Sequence, residues 1–160
     1  MTFGLAAGGV TIGYYLLFYF SNVRLMLHPG VQWASMIFPL ANMFWAAGLE
    51  RRRQSGEFTW QHVLQTAFPV YVWWALFYYL FFYVLYNADA SLGQIQHEMT
   101  MENLDRYRNW FGEANTRQME QAFKAEDYQM TIGKTIFGFA RSLMGGFGLS
   151  LIVALLMKKD

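Results

Sequence analysis

The side chains of this chain that could do chemistry fall into short patterns, and each pattern lacks an essential member. Gly133-Lys134-Thr135 matches the end of a phosphate-binding loop, but the position that requires the earlier glycine holds Tyr128. His97-Glu98 begins the zinc-protease pattern, but the position of the second histidine holds Met101. Neither pattern therefore predicts a catalytic site.

The composition narrows the chemistry further. The chain contains no cysteine, which excludes disulfides, thiolate metal sites and cysteine nucleophiles. No set of nucleophile, base and orienting group is apparent, and no paired carboxylates lie inside an apolar stretch. The net charge of +1 provides no basic field for nucleic acid. We therefore expect no enzyme activity, no cofactor, no metal and no nucleic-acid partner.

Arg141 is the one strongly charged residue inside an apolar stretch. Ionisable side chains within a membrane are costly and are therefore functional candidates. Arg141 lies about two helical turns from the end of its stretch, so its long side chain can extend to the lipid headgroups. Three roles remain open: binding of a lipid phosphate, an ion pair with a partner or with an acidic loop, and a part in transport.

The elements that must position these residues are long apolar helices. Four stretches contain almost no ionised side chain: Met1–Val23, Leu25–Leu49, Phe58–Ala88 and Thr135–Met157. A helix needs about 20 apolar residues to cross a bilayer, where backbone polar groups must bond within the segment. We predict an all-α integral membrane four-helix bundle that forms one domain over residues 1–160. Its spans are expected at about 3–20, 32–49, 62–86 and 135–157.

A polar loop, residues 87–134, separates spans three and four. Between Asp89 and Asp127 it carries eight acidic and four basic side chains. Helical spacing predicts two amphipathic helices in it, at about Met99–Phe111 and Thr116–Tyr128. Their apolar faces have three alternatives for burial: the membrane surface, the spans or a partner.

The basic residues that flank the spans indicate the orientation of the bundle. Basic residues in short flanks tend to stay in the cytoplasm. In a four-span arrangement, five of them fall on the side opposite the acidic loop: Arg51, Arg52, Arg53, Lys158 and Lys159. Both termini are therefore expected in the cytoplasm and the loop outside it.

Small residues recur at helical spacing in two of the spans. The members in span four are Gly138, Ser142, Gly146, Ser150 and Ala154, and those in span one are Gly4, Gly8, Gly9 and Gly13. Such stripes let helices approach closely within lipid. Two interpretations remain open: packing of spans one and four within one molecule, or contact with another copy or partner. Whether the aromatic residues of span three contact a pigment, a quinone or lipid also remains open.

The order of these features resembles the family known as domain of unknown function 4199. The features that carry the resemblance are the opening Gly4-Leu5-Ala6-Ala7-Gly8, the segment Gly56-Glu57-Phe58-Thr59-Trp60 after the basic turn, the long helical loop, and the glycine-rich last span before Lys158-Lys159. The resemblance covers essentially the whole chain. It implies a multi-pass protein of the bacterial cytoplasmic (inner) membrane, and it carries over no catalytic residue.

These observations favour a non-catalytic accessory or scaffold subunit of a larger inner-membrane complex. Its expected partners are membrane lipids and either other membrane subunits or further copies of the chain. The alternative is a small oligomeric transporter or channel. That alternative rests on Asn42 and Arg141 within the spans and on Pro39 and Pro69, which favour kinks.

Overall fold

The protein is built from helices. The computed structural model describes residues 2–53, 59–124 and 128–157, and every regular element in these ranges is helical. The elements are α1 (Thr2–Ser21), α2 (Val23–Met26), α3 (Pro29–Ala34), α4 (Ile37–Arg53), α5 (Trp60–Ala88), α6 (Ser91–Arg106), α7 (Arg108–Phe111), α8 (Glu113–Lys124) and α9 (Ile132–Met157). The predicted all-α class is confirmed.

The long helices run alternately in opposite directions. The ring of Phe3 in α1 lies 5.9 Å from that of Trp45 in α4. A Cβ atom at Gly48 in α4 would lie 3.8 Å from Cε of Met157, the last residue of α9. The start of α1 and the ends of α4 and α9 therefore share one end of the bundle, which we call the arginine end. The opposite end, where α5 ends and α9 begins, is called the loop end.

Helix α5 lies at the centre of the bundle and packs against α1, α4 and α9. Among the described residues, buried side chains form two clusters along it. The cluster nearer the arginine end contains Ala7, Met43, Ala46, Ala47, Val63, Ala67, Val70, Tyr71, Trp74, Ala75, Val153 and Ala154. The cluster nearer the loop end contains Tyr15, Met26, Leu27, Phe82 and Leu92.

Span two differs from the single helix that the sequence predicts, because it is interrupted at Ser35 and Met36, between α3 and α4. Pro39 has no N–H to donate to the carbonyl of Ser35, so a continuous helix would lose that hydrogen bond. The Ser35 carbonyl instead accepts from the N–H of Phe38 at 3.2 Å. The interruption therefore follows from the proline.

The surface of the bundle is strongly apolar along the long helices. Leu17, Phe20 and Met144 are 71%, 80% and 78% exposed. Among the described residues, three helices, α1, α5 and α9, are long and apolar enough to cross a membrane. Helix α4 is not among them, since it has 17 residues and ends in Glu50 and three arginines.

The loop between α5 and α9 folds back onto the loop end of the bundle. Helix α6 begins at Ser91, well before the predicted Met99, and its fully buried Leu92 packs in the same cluster as Met26 and Phe82. Helix α8 packs against α6 and α7. Gly112 separates α7 from α8 with a φ of 76°, a conformation that favours glycine. Of the three alternatives for the loop, the structure supports packing of α6 on the spans.

Candidate helix-docking interface

The four glycines of α1 divide into two faces. Gly4 and Gly8 are buried, and a Cβ atom at these positions would lie 2.5 Å from Cβ of Trp73 and 2.8 Å from Cβ of Phe77. Gly9 and Gly13 are exposed, and a Cβ atom at either would meet no described residue within 4 Å. One face of α1 therefore fits against α5, while the other is open.

The small residues of α9 also face α5. A Cβ atom at Gly138 would lie 2.7 Å from Cε1 of Tyr79, and one at Gly146 would overlap the ring of Tyr71. Farther along the same stripe, Ser150 and Ala154 are fully buried.

Two hydroxyl groups of this stripe bond within their own helix. Ser150 donates to the Gly146 carbonyl at 2.7 Å, and Ser142 donates to the Phe139 carbonyl at 2.8 Å. The α9 stripe therefore uses its small residues to bring the backbone close to the aromatic rings of α5.

The partner of both buried stripes is thus α5 rather than the other stripe. Among the described residues, α1 and α9 share no substantial contact, and each packs on α5. Of the two interpretations left open, packing within one molecule describes Gly4 and Gly8 of α1 and the stripe of α9, and the helix that receives both is α5. Large aromatic rings on α5 fill the space that the glycines leave, so the small-residue stripes and the aromatic span are two parts of one interface.

Buried polar groups join the helices near these interfaces, and no pattern described above predicts them. The indole N–H of Trp74 in α5 donates to Thr11 Oγ1 in α1 at 2.8 Å, and the Thr11 hydroxyl donates to the Ala7 carbonyl. The Tyr15 hydroxyl donates to Ser35 Oγ at 2.9 Å. An isolated hydroxyl or indole within an uncharged stretch is the feature of the sequence that could have predicted these hydrogen bonds. Such a group needs a partner when it is buried.

Asn42 and Arg141 are not brought together. Asn42 Nδ2 donates to the Phe38 carbonyl at 2.9 Å, within its own helix. The amide therefore satisfies the carbonyl one turn earlier in α4. Arg141 is exposed on α9, with no ion pair or hydrogen bond to any described residue, and lies near Tyr79.

The basic residues predicted to set the orientation are only partly described. Arg51 and Arg52 are exposed at the arginine end. The side chain of Arg53, and Lys158 and Lys159 as a whole, lie outside the described residues.

Ion pairs and hydrogen bonds fasten α6 to the loop end. Arg24 at α2 pairs with Glu98 and with Glu102, each at 2.9 Å. The Tyr19 hydroxyl donates to Asp89 Oδ2 at 2.9 Å. Hydrogen bonds from Ser91 and from Tyr19 hold the pKa of Asp89 below its ordinary value. These contacts connect the acidic loop to the end of α1.

The helices and packing faces together define an all-α membrane protein with three helices able to span a bilayer. The particular family follows from comparison with known proteins. The family model described as protein of unknown function (DUF4199) matches residues 2–159, so the chain belongs to that family. No curated protein and no solved structure matches this chain.

Proposed function

We propose that this protein is a non-catalytic accessory or scaffold subunit of a larger inner-membrane complex. The observation that carries the proposal is the open face of α1, where Gly9 and Gly13 lie one helical turn apart and an added Cβ atom at either has no neighbour within 4 Å in the described part of the chain. Exposed Leu5 and Leu17 extend the same line of positions toward both ends of the helix. Helices in lipid associate by close contact between backbones, which paired glycines permit.

The packing of Gly4 and Gly8 against α5 supports this proposal. Gly4 and Gly8 occupy the same helix, and each accepts a large α5 side chain against its backbone. The spacing on the open face is the same, so that face has the shape that accepts a further helix. The proposed occupant is a helix of a different membrane subunit or of a second copy of this chain.

Replacing Gly9 and Gly13 together with leucine should separate the protein from its partner without unfolding it. The leucine side chains enter open space, so the fold stays intact, but they hold an approaching backbone away. We expect at least about a tenfold loss of the co-purifying subunit, equivalent to about 1.4 kcal/mol of association free energy. Extraction in mild detergent followed by mass measurement and quantitative proteomics checks this result.

The matched control is Gly145→Leu, which places leucine at an exposed glycine of α9 where an added Cβ atom likewise meets no described neighbour within 4 Å. It should leave the complex intact. A wild-type protein that is extracted as a stable monomer with no associated subunit contradicts the proposal. So does a double variant that retains its partner in full.

We further propose that the chain crosses the bacterial inner membrane four times, with α3 and α4 together forming the second crossing. The alternating directions of the long helices support an even number of crossings, and exposed Arg51 and Arg52 support a cytoplasmic arginine end. In this arrangement α6, α7 and α8 lie outside the cytoplasm.

This topology predicts that a cysteine introduced at Trp110 is labelled in intact cells by a membrane-impermeant thiol reagent. Trp110 is 87% exposed on α7, so the substitution should not disturb the fold. A cysteine at Arg52 provides the control and should react only after the cells are opened. The reverse labelling pattern would overturn the proposed orientation.

A further inference from the structure

Arg141 lies on the outer surface of α9, among side chains that point away from the bundle. Phe137 and Met144, one turn before and one turn after it, are 70% and 78% exposed. Residues three or four apart share one face of a helix, so Arg141 belongs to the surface that meets lipid when α9 crosses a bilayer. A charged side chain on such a surface is costly unless it finds a counter-charge.

The length of α9 gives the depth of Arg141 in the bilayer. The helix has 26 residues, or about 39 Å at 1.5 Å per residue, and the hydrocarbon core is about 30 Å thick. Because Lys158 is charged, the last residue that fits the core is Met157. About 20 residues counted back from Met157 reach Gly138, which places Arg141 about 4.5 Å inside the boundary nearer the loop end.

The direction of the helix brings the guanidinium of Arg141 to the headgroups. In an α-helix the Cα–Cβ bonds tilt toward the N-terminus, and the N-terminus of α9 is at the loop end. An extended arginine side chain is longer than the distance to that boundary, so its charged group reaches the level of the lipid phosphates. Tyr79 of α5 lies near Arg141, and tyrosine favours this level of a membrane.

The acidic loop does not supply the counter-charge within the part of the chain that the structure describes. Each carboxylate there is engaged elsewhere: Asp89 with Tyr19 and Ser91, Glu98 and Glu102 with Arg24, Asp105 with Arg108, Glu113 with Arg117, and Glu120 with Lys124. None of them forms an ion pair with Arg141. Glu126 and Asp127 lie outside the described residues.

The helix surface below Arg141 is shallow. Gly145 and Gly148 follow it by four and seven residues, and a Cβ atom added at either would meet no described residue within 4 Å. Positions separated by four and seven residues continue one face of a helix. An open track therefore runs from the guanidinium toward the middle of the bilayer, which is the course of the acyl chain of a lipid whose phosphate lies at Arg141.

We propose that Arg141 binds the phosphodiester of a membrane phospholipid, with an acyl chain of that lipid lying along Gly145 and Gly148. A guanidinium group can donate two parallel hydrogen bonds to phosphate oxygens. The proposal requires that α9 cross the bilayer, but it holds for either orientation of the bundle. It does not use the open face of α1.

The test uses the full-length protein freed of lipid in detergent and two probes with the same acyl chains, dioleoylphosphatidylglycerol and dioleoylglycerol, which has no phosphate. Native mass spectrometry measures the binding of each. For Arg141→Gln we expect the affinity for the phospholipid to fall about tenfold, since a charge-assisted contact is lost, while binding of dioleoylglycerol stays unchanged. Arg141→Lys should give an intermediate loss, because lysine keeps the charge but not the paired donors.

The matched control is Arg117→Gln, which removes an exposed guanidinium on α8 that pairs with Glu113 at 3.6 Å. This variant should bind the phospholipid within about twofold of the wild-type protein, because an exposed ion pair contributes little.

A second readout separates lipid binding from a role in holding the bundle together. Arg141→Leu should unfold in mixed micelles at the same temperature as the wild-type protein or at a higher one, because a charge is removed from an apolar surface. A marked fall in the unfolding temperature would show that Arg141 supports the fold, and it would contradict the proposal.

Three further results would overturn the proposal. The first is that the wild-type protein binds both probes equally, and the second is that Arg141→Gln binds the phospholipid as tightly as Arg117→Gln does. The third is that Arg141→Gln releases a co-purifying subunit while lipid binding is unchanged, which identifies a carboxylate of a protein partner as the counter-charge. Since Gly9 and Gly13 are untouched in these variants, failure here is distinguishable from failure of the proposed docking face.

Discussion

Replacing Gly146 with leucine is expected to disrupt the α5–α9 interface and cause the largest loss of stability of any single change considered. Even a Cβ atom at this position would overlap the ring of Tyr71. Tyr71 is only 3% exposed and its ring packs 5.2 Å from that of Trp74, so it has little room to move away. Overpacking costs about 1–3 kcal/mol and sometimes more, and we expect about 3 kcal/mol or more here.

The measurement is denaturation in mixed micelles, followed by far-ultraviolet circular dichroism. The control is Gly145→Leu, at the neighbouring residue, where an added Cβ atom meets none of the residues that the structure describes within 4 Å. Its free energy of unfolding should lie within about 0.5 kcal/mol of that of the wild-type protein, as is usual for surface substitutions. Equal stability of the two variants would contradict the packing of α9 on α5 described above.

A double-mutant cycle tests whether Tyr71 is the residue that a side chain at position 146 overlaps. Gly146→Ala should be strongly destabilising in the wild-type background and much less so when Tyr71 is already alanine, because the overlapping ring is then gone. Residues in direct contact show coupling energies of about 0.5–3 kcal/mol in such cycles. Additive effects would place the clash elsewhere.

Replacing Trp74 with alanine is expected to give the second-largest loss of stability. Its side chain is 4% exposed, lies between Tyr71 and Tyr78, and donates to Thr11. Removal of a large buried ring costs about 3–5 kcal/mol in soluble proteins. We expect a loss of about 3 kcal/mol in the free energy of unfolding here. Lipid replaces water around the unfolded helices, so burying the ring in the folded protein gains less than it does in water.

Thr11→Val separates the hydrogen bond from the packing of the ring. This change keeps the shape of the side chain but removes the acceptor of the Trp74 indole. Hydrogen bonds between helices in a membrane average about 0.6 kcal/mol, so packing should account for most of the Trp74→Ala effect.

The control for Trp74 is Trp45→Ala, which removes the same ring from a position that is 64% exposed. It should cost less than about 0.5 kcal/mol. Unfolding in mixed micelles measures all three variants under one condition. A Trp45→Ala variant as unstable as Trp74→Ala would show that the exposed surface is buried against something in the purified protein.

Parts of this fold could be predicted because they depend on local properties of the chain. The length of an apolar run decides whether a helix can cross a bilayer, and this property identified α1, α5 and α9 in advance. The small-residue stripes of spans one and four could be predicted for the same reason, since they depend only on side-chain size and on helical spacing. Pro39 predicted a kink in span two, because proline frees the carbonyl four residues earlier, and the helix is interrupted there, at Ser35 and Met36.

Only the tertiary structure decided what the stripes contact. A stripe shows that a helix can be approached closely, but it does not identify the approaching helix, because no hydrophobic force in lipid favours one apolar surface over another. The fit of Gly146 to Tyr71 and of Gly8 to Phe77 depends on the relative rotation of three helices, which no single segment encodes. The packing of α6 on the spans was likewise left open by the sequence, since Leu92 meets Met26 and Phe82 only when the loop folds back onto the bundle.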